Sequence, residues 1–272
     1  MAQDIFGKSL QPVVAKRLYL LDLDGTIYLD NRLIPGAKEF LDWVHSSGRR
    51  AIFITNNSSK SVTDYIKKMA KLGINTTSDD YFTSSMAMAI YLNKHHSKKK
   101  VYVMGTSSLK RELASNHIEI AHGSDHDVDV VVLGYDTELT YQKLIDVSRL
   151  LKKDLVYLAT NPDFVCPVAF GFVPDCGAMA ELLRHSTGKM PIFIGKPDPL
   201  ILDLAMEKAN IPTDETIVIG DRLYTDIQSG HNANVATLCV LSGEATLQEI
   251  QTMKQKPDYV ISSIKDLWQA TQ

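Results

Sequence analysis

The stretch "LYLLDLDGTIYL", residues 18–29, decides how the rest of the chain is read. Leu18 to Leu21 form a short apolar run of the kind that fills a buried strand. Asp22 and Asp24 follow it, and Gly25 comes directly after. In an extended segment residues i and i+2 point to the same side, so the two carboxylates start out facing one way where the strand ends. Gly25 lets the backbone turn at once. Ligands of open α/β sheets bind outside the carboxyl ends of the strands, which would put both carboxylates in that crevice. The plainer reading is a solvated Asp-Gly turn.

Working outward, apolar runs alternate with helical patterns. In "LIPGAKEFLDWVHSSG" the residues Phe40, Leu41, Val44 and His45 share a helical face. "AIFIT" (51–55) is a second strand, and Val62, Tyr65, Ile66, Met69 and Leu72 then follow helical spacing up to a capping Gly73. "YFTS" (81–84), "IFIG" (192–195), "TIVIG" (216–220), "ATLCVL" (236–241) and "DYVI" (258–261) are read with the same sheet. The alternation predicts βαβ units and a parallel sheet covered on both faces. The middle holds strands of its own at 101–104, 129–134 and 155–160, with helices near 107–115, 140–153 and 176–186. It is read as a second α/β domain inserted into the first. The expected division is 1–85 and 187–272 for the core and 86–186 for the insert.

Composition narrows the function classes. At 272 residues, 44% hydrophobic and 22% charged, the chain has the make-up of an ordinary globular protein. A net charge of −3 gives no electrostatic case for nucleic acid or an anionic membrane. No window approaches the run of about 20 apolar residues that spans a bilayer, and the first residues do not read as a signal peptide. Cys166, Cys176 and Cys239 are an odd set without tight spacing, against a disulfide framework or a zinc site. A cytoplasmic protein is expected.

Three further strand ends carry polar groups. "ITNNSS" offers Thr55 and the backbone N–H groups after it, which can hold an anion; a helix cap is the bland alternative. "GKPDP" offers Lys196, otherwise a surface charge at a turn. "GDRLYTD" offers Asp221 and Asp226, otherwise another cap. Clustered carboxylates repel and raise one another's pKa unless a cation joins them. Oxygen-only ligands favour Mg2+.

"DLDGT", "ITNNS", "GKP" and "GDRLYTD", in this order, resemble the four motifs of the haloacid dehalogenase superfamily. The resemblance covers nearly the whole chain. The insert is similar to the class IIA cap of the NagD-like, p-nitrophenyl phosphatase branch, notably in "ATNPD" (159–163) and "VVVLGYDTELTY" (130–141). One departure is "SGHNANVAT" (229–237), where relatives commonly have a glycine near Asn234.

The resemblance implies a Rossmann-like core and a Mg2+-dependent phosphatase of small phosphorylated metabolites. By it, Asp22 is the nucleophile that forms an aspartyl-phosphate. An ordinary aspartate titrates at about 3.9, so it is ionised at neutral pH. Asp24 serves as acid and then as base, its proton favoured by negative neighbours. Mg2+ is held by Asp22, the backbone carbonyl of Asp24, and Asp221, while Asp226 organises them. Thr55, Asn56, Asn57 and Lys196 bind the phosphoryl oxygens. In the cap, Thr160 and Asn161 are candidate substrate contacts, and substrate choice is expected in Thr160 to Pro167. A homodimer through the cap is also implied.

Two other functions fit the same residues. A phosphotransferase or mutase would pass the group to an alcohol. A phospho-accepting signalling domain is disfavoured by the Asp22–Asp24 spacing and the large insert. "HGSDHDVD" (122–129) places His122 and His126 at i, i+4, but its Gly, Ser and Asp residues favour a solvated loop over a metal site. Lys98 to Lys100 are read as an exposed turn.

Overall fold

Leu18–Leu21 is fully buried along its whole length, flanked by two parallel partners, Thr216–Gly220 and Arg50–Thr55. A four-residue apolar run can occupy such a place because both its faces are covered. In the computed structural model, which describes residues 2–123, 127–168 and 170–272, the fold is mixed α/β with two parallel sheets in two compact units.

The first unit holds the chain up to Thr55, Ile66–Phe82 and Lys196–Gln272. Its sheet has six strands in the order Tyr259–Ile261, Ala236–Val240, Thr216–Gly220, Leu18–Leu21, Arg50–Thr55, Tyr81–Thr83. From Leu18–Leu21 the chain builds outward in one direction through Arg50–Thr55, and later in the other through Thr216–Gly220. That reversal makes a switch point, the place where such sheets open a crevice at their carboxyl ends. The helix Ala37–Ser46 buries Phe40, Leu41 and Val44. His45, which shares their spacing, is instead exposed, because the helix's buried stripe is narrower than the pattern suggested. Asn234 has φ 56°. This is the left-handed region that glycine enters freely and asparagine tolerates, so the departure noted near Asn234 keeps the turn.

The second unit holds Asn56–Tyr65 and Thr83–Gly195. Its five-stranded sheet runs Ile192–Phe193, Val156–Ala159, Val130–Leu133, Lys100–Met104, Glu119–Ile120, with every neighbouring pair parallel. The helices Ser107–Ser115, Tyr141–Leu150 and Cys176–Thr187 start at the side-chain caps Thr106, Thr140 and Asp175. Val131, Leu133, Val147, Leu150, Ala180 and Leu183 belong to its core.

One strand is corrected. "IFIG" is read in the sequence with the core sheet, yet Ile192 pairs with Leu158 and Phe193 with Ala159 in the second unit. A two-residue edge strand has too little pattern to choose between sheets; backbone pairing chooses. A hairpin of Val165–Val168 and Gly171–Pro174 escapes the sequence reading altogether, being neither buried nor alternating. His122 lies in a described loop, whereas His126 is outside the described residues. No helix among the described residues is long and apolar enough to cross a membrane.

Candidate active site

Asp22 extends the ladder of its strand by one residue, its N–H donating to the Ile219 carbonyl at 2.9 Å. Leu23 is fully buried between the two aspartates, as the period-two alternation of an extended chain requires. The turn follows at Gly25, whose N–H reaches the Tyr28 carbonyl at 2.8 Å. Gly25 has φ +83°, and a Cβ built there would stand 2.4 Å from Asp221 Oδ2. No other residue satisfies both the conformation and the space.

Lys196 is the hub of the buried charge. Its Nζ donates to Asp22 Oδ1 at 2.7 Å, to Asp226 Oδ1 at 2.5 Å and to the Ile54 carbonyl at 3.1 Å. Only 3% of its side chain is exposed. Asp221 stands directly after the strand Thr216–Gly220. Its Oδ2 accepts from the Glu244 N–H at 2.7 Å. Asp226 sits in a π-helical turn, Leu223–Ile227, a local widening often found at functional sites. Its Oδ2 accepts from the Arg222 N–H at 3.0 Å. Thr55 ends its strand 3% exposed, one residue past the carbonyl that Lys196 holds.

Burial shapes the charges. It pushes the Asp22 carboxyl well above its ordinary range; Lys196 pulls it back, while Asp226 and Asp221 push the same way as burial. Asp221 is raised to about 7, by burial first and then by the Asp226 charge. Burial works against the charge on Lys196, but Asp22 and Asp226 outweigh it and hold the ammonium above its ordinary value. Lys196 is shared by Asp22 and Asp226, and at Asp221 burial and the Asp226 charge outweigh Arg222, so the cluster is short of positive charge.

That shortage is specific to one place. An oxygen from each of Asp22, Asp221 and Asp226 lies within 4.8 Å of the others. Asp221 Oδ1 is buried and has no hydrogen-bond partner. A buried carboxylate oxygen without a donor is costly, and hard oxygen donors suit a divalent cation such as Mg2+. The residues present therefore fit a metal.

The Asp24 side chain is 37% exposed, and its Oδ1 is 3.9 Å from Lys68 Nζ. Lys68 also lies 3.5 Å from the centroid of the Tyr28 ring. The sequence reading surrounds Asp24 with negative charge and misses this cation, which reaches the turn from a helix with no motif of its own.

The remaining candidates are in the second unit. Asn57 Oδ1 accepts from the Ser59 N–H at 3.0 Å and from the Ser59 hydroxyl at 2.6 Å, a local turn of the kind asparagine favours. Thr160 and Asn161 are fully buried. Their polar groups meet Ser58, Asp163 and Asp175 inside the unit. Ser58 and Asp163 lie inside the quoted stretches "ITNNSS" and "ATNPD", but the sequence reading gives neither a role of its own, although Asp163 follows a strand end as Asp22 does.

With the geometry in place, comparison is informative. A family model described as haloacid dehalogenase-like hydrolase matches residues 19–119, and a second HAD-hydrolase-like model matches 193–267. The acid sugar phosphatase of Staphylococcus haemolyticus is 35% identical over 249 residues, covering 92% of this chain and 93% of its own. The crystal structure of 4-nitrophenylphosphatase from Thermotoga maritima superposes with TM-score 0.91 at 36% identity, covering 96% and 100%. Glycerol phosphate phosphatase from Mycobacterium tuberculosis, solved in complex with magnesium, gives 0.88 at 26% identity, covering 98% and 78%.

Proposed function

Since the chain belongs to the haloacid dehalogenase-like hydrolases and is a phosphoric monoester hydrolase of their NagD-like, p-nitrophenyl phosphatase branch, we propose that it hydrolyses small sugar or polyol phosphates through an aspartyl-phosphate on Asp22. The observation that carries this reading is the triad of half-buried Asp22 with buried Lys196 and Asp226 at the switch point of the sheet. The likeness to an acid sugar phosphatase and to a glycerol phosphate phosphatase supports the substrate class.

In this mechanism Lys196 favours the ionised form of Asp22 against the push of burial and holds its Oδ1 in place. The other carboxylate oxygen attacks phosphorus as the ester oxygen leaves. Lys196, the Thr55 hydroxyl and the Asn56 and Asn57 N–H groups stabilise the charge spread over the phosphoryl oxygens. Asp24 gives its proton to the leaving oxygen, then takes one from the water that hydrolyses the acyl-phosphate. Mg2+ would be held by Asp22, the Asp24 carbonyl and Asp221, where it supplies positive charge against the carboxylates and the phosphate. Asp226 has each oxygen in a hydrogen bond, to Lys196 and to the Arg222 N–H, and is assigned to orienting the lysine.

The second unit is taken as the inserted cap, with substrate choice in the segment Thr160 to Pro167. The compartment proposed is the cytoplasm, and the three free cysteines are compatible with its reducing conditions. The test is a panel of sugar, polyol and nucleotide phosphates with and without Mg2+, joined to acid-quench trapping of a phosphoryl-enzyme. Trapped phosphate on Asp22 with turnover of a sugar or polyol phosphate is expected. Turnover with no trapped intermediate and full activity in Asp22→Asn would refute the covalent route.

A further inference from the structure

The second unit contains a buried polar chain whose donors converge on the carboxylates of Asp163 and Asp175. The Tyr135 N–H donates to Ser58 Oγ at 2.9 Å. Ser58 Oγ and Thr160 Oγ1 are 2.8 Å apart, and the Thr160 hydroxyl donates to Asn161 Oδ1 at 2.9 Å. Asn161 Nδ2 then donates to Asp163 Oδ2 at 2.9 Å and Asp175 Oδ1 at 3.1 Å. Asp163 Oδ2 receives a second donor, Asn56 Nδ2, at 2.7 Å. Every side chain in the chain is nine-tenths buried or more.

Asn56 is gripped from three sides. Asp163 takes its side-chain amide, the Ser84 hydroxyl donates to its carbonyl at 2.8 Å, and Gly195 packs on its side chain. A Cβ built on Gly195 would stand 2.6 Å from Asn56 Oδ1 and 2.3 Å from the Thr160 carbonyl. Along the chain, Asn56 is joined to Thr55 and Gly195 to Lys196. The two residues that the clamp fixes are thus the covalent neighbours of two groups assigned to the phosphoryl oxygens.

We infer that Asp163 is a positioning residue for the phosphoryl site, acting through the Asn56 side chain on the peptide that links Thr55 to Asn56. The inference rests on the phosphatase reading above. A buried carboxylate that receives two amide donors holds them tightly, and a fully satisfied buried network fixes one arrangement. Phosphoryl transfer depends on position, and a displacement of about 1 Å can reduce the rate about 10²-fold. Asp163 touches no reacting atom. Its effect travels through one hydrogen bond, which makes it separable.

The test is a double-mutant cycle on the full chain with Asn56→Ala, Asp163→Ala and the pair. Three quantities are measured: kcat/KM on p-nitrophenyl phosphate, the inhibition constant of inorganic phosphate, and the Tm gain on adding Mg2+. Each single change is expected to lower kcat/KM by about 10²-fold and to weaken phosphate inhibition, while the Mg2+ gain in Tm persists. Residues acting through one bond are not additive, so the pair should lose no more than the worse single. Asp163→Asn keeps an acceptor oxygen toward Asn56 and should recover most activity, and it stands in if Asp163→Ala does not fold. Losses that multiply in the pair overturn the inference, as does a folded Asp163→Ala within twofold of wild type in both kcat/KM and phosphate inhibition. An Asp163→Asn no better than a folded Asp163→Ala overturns it too. Asp22→Asn is run alongside: full turnover there refutes the phosphatase mechanism, whatever the cycle gives.

Discussion

Lys196 Nζ lies 2.7 Å from Asp22 Oδ1, and both groups come from strand ends separated by 174 residues of sequence. Replacing Asp22 by Asn removes the oxygen nucleophile while keeping an acceptor for the lysine. Turnover should fall by several orders of magnitude, on the order of 10⁴-fold or more for loss of a covalent nucleophile, with Tm close to wild type. Steady-state kinetics beside thermal melting checks both halves.

Lys196→Met should be worse for stability than Asp22→Asn. It leaves Asp22 and Asp226 buried without their shared cation. Breaking a buried pair from one side costs about 3–5 kcal/mol. Urea melts should show that loss, and activity should vanish. A stability change below about 1 kcal/mol would mean that solvent already screens the cluster.

Mg2+ should stabilise the protein more at pH 8 than at pH 5.5. Asp221 titrates at about 7 in the fold, against about 3.9 in an unfolded chain. Between those values the native state binds a proton that the unfolded chain has released. The associated stability is full below about pH 4 and is lost as pH rises through 7. The cation replaces the proton, so its effect on Tm grows over that window. An equal Mg2+ shift at both pH values would exclude Asp221 as a ligand, and Asp221→Asn should reduce the pH dependence to the part that Asp22 carries.

Asp24→Asn should distinguish leaving groups. A sugar alkoxide needs a proton to depart and p-nitrophenolate does not. General acid help is worth about 10²–10⁴-fold, so the sugar ester should lose that much more in the formation step. Pre-steady-state rates for both esters decide it; equal losses would remove Asp24 from the acid role.

Within Thr160 to Pro167, burial sets Thr160 and Phe164 at opposite extremes. Thr160 is fully buried and bonded to Ser58, so Thr160→Val should lower stability by about 1–3 kcal/mol. Phe164 is 57% exposed, so Phe164→Ala should leave Tm nearly unchanged and reorder substrates by kcat/KM. An unaltered ranking would move specificity elsewhere in the chain.

The sequence by itself determined the chemistry-bearing strand ends, because apolar runs and the residues that stop them are local properties. "DLDGT" and "GDRLYTD" announce carboxylates beyond buried strands without any knowledge of the partner strands. Only the tertiary structure decided which of these groups meet. Lys196 follows a two-residue strand that pairs with Ala159 and Leu158 rather than with the core sheet, yet its ammonium reaches Asp22 and Asp226. Lys68 beside Asp24, and Asp163 beneath Asn56, are likewise set by packing between segments far apart in the chain. A residue's type and its neighbours in sequence fix what it can do; the pKa it adopts and the atom it touches depend on burial and on distant charges, which no local pattern records.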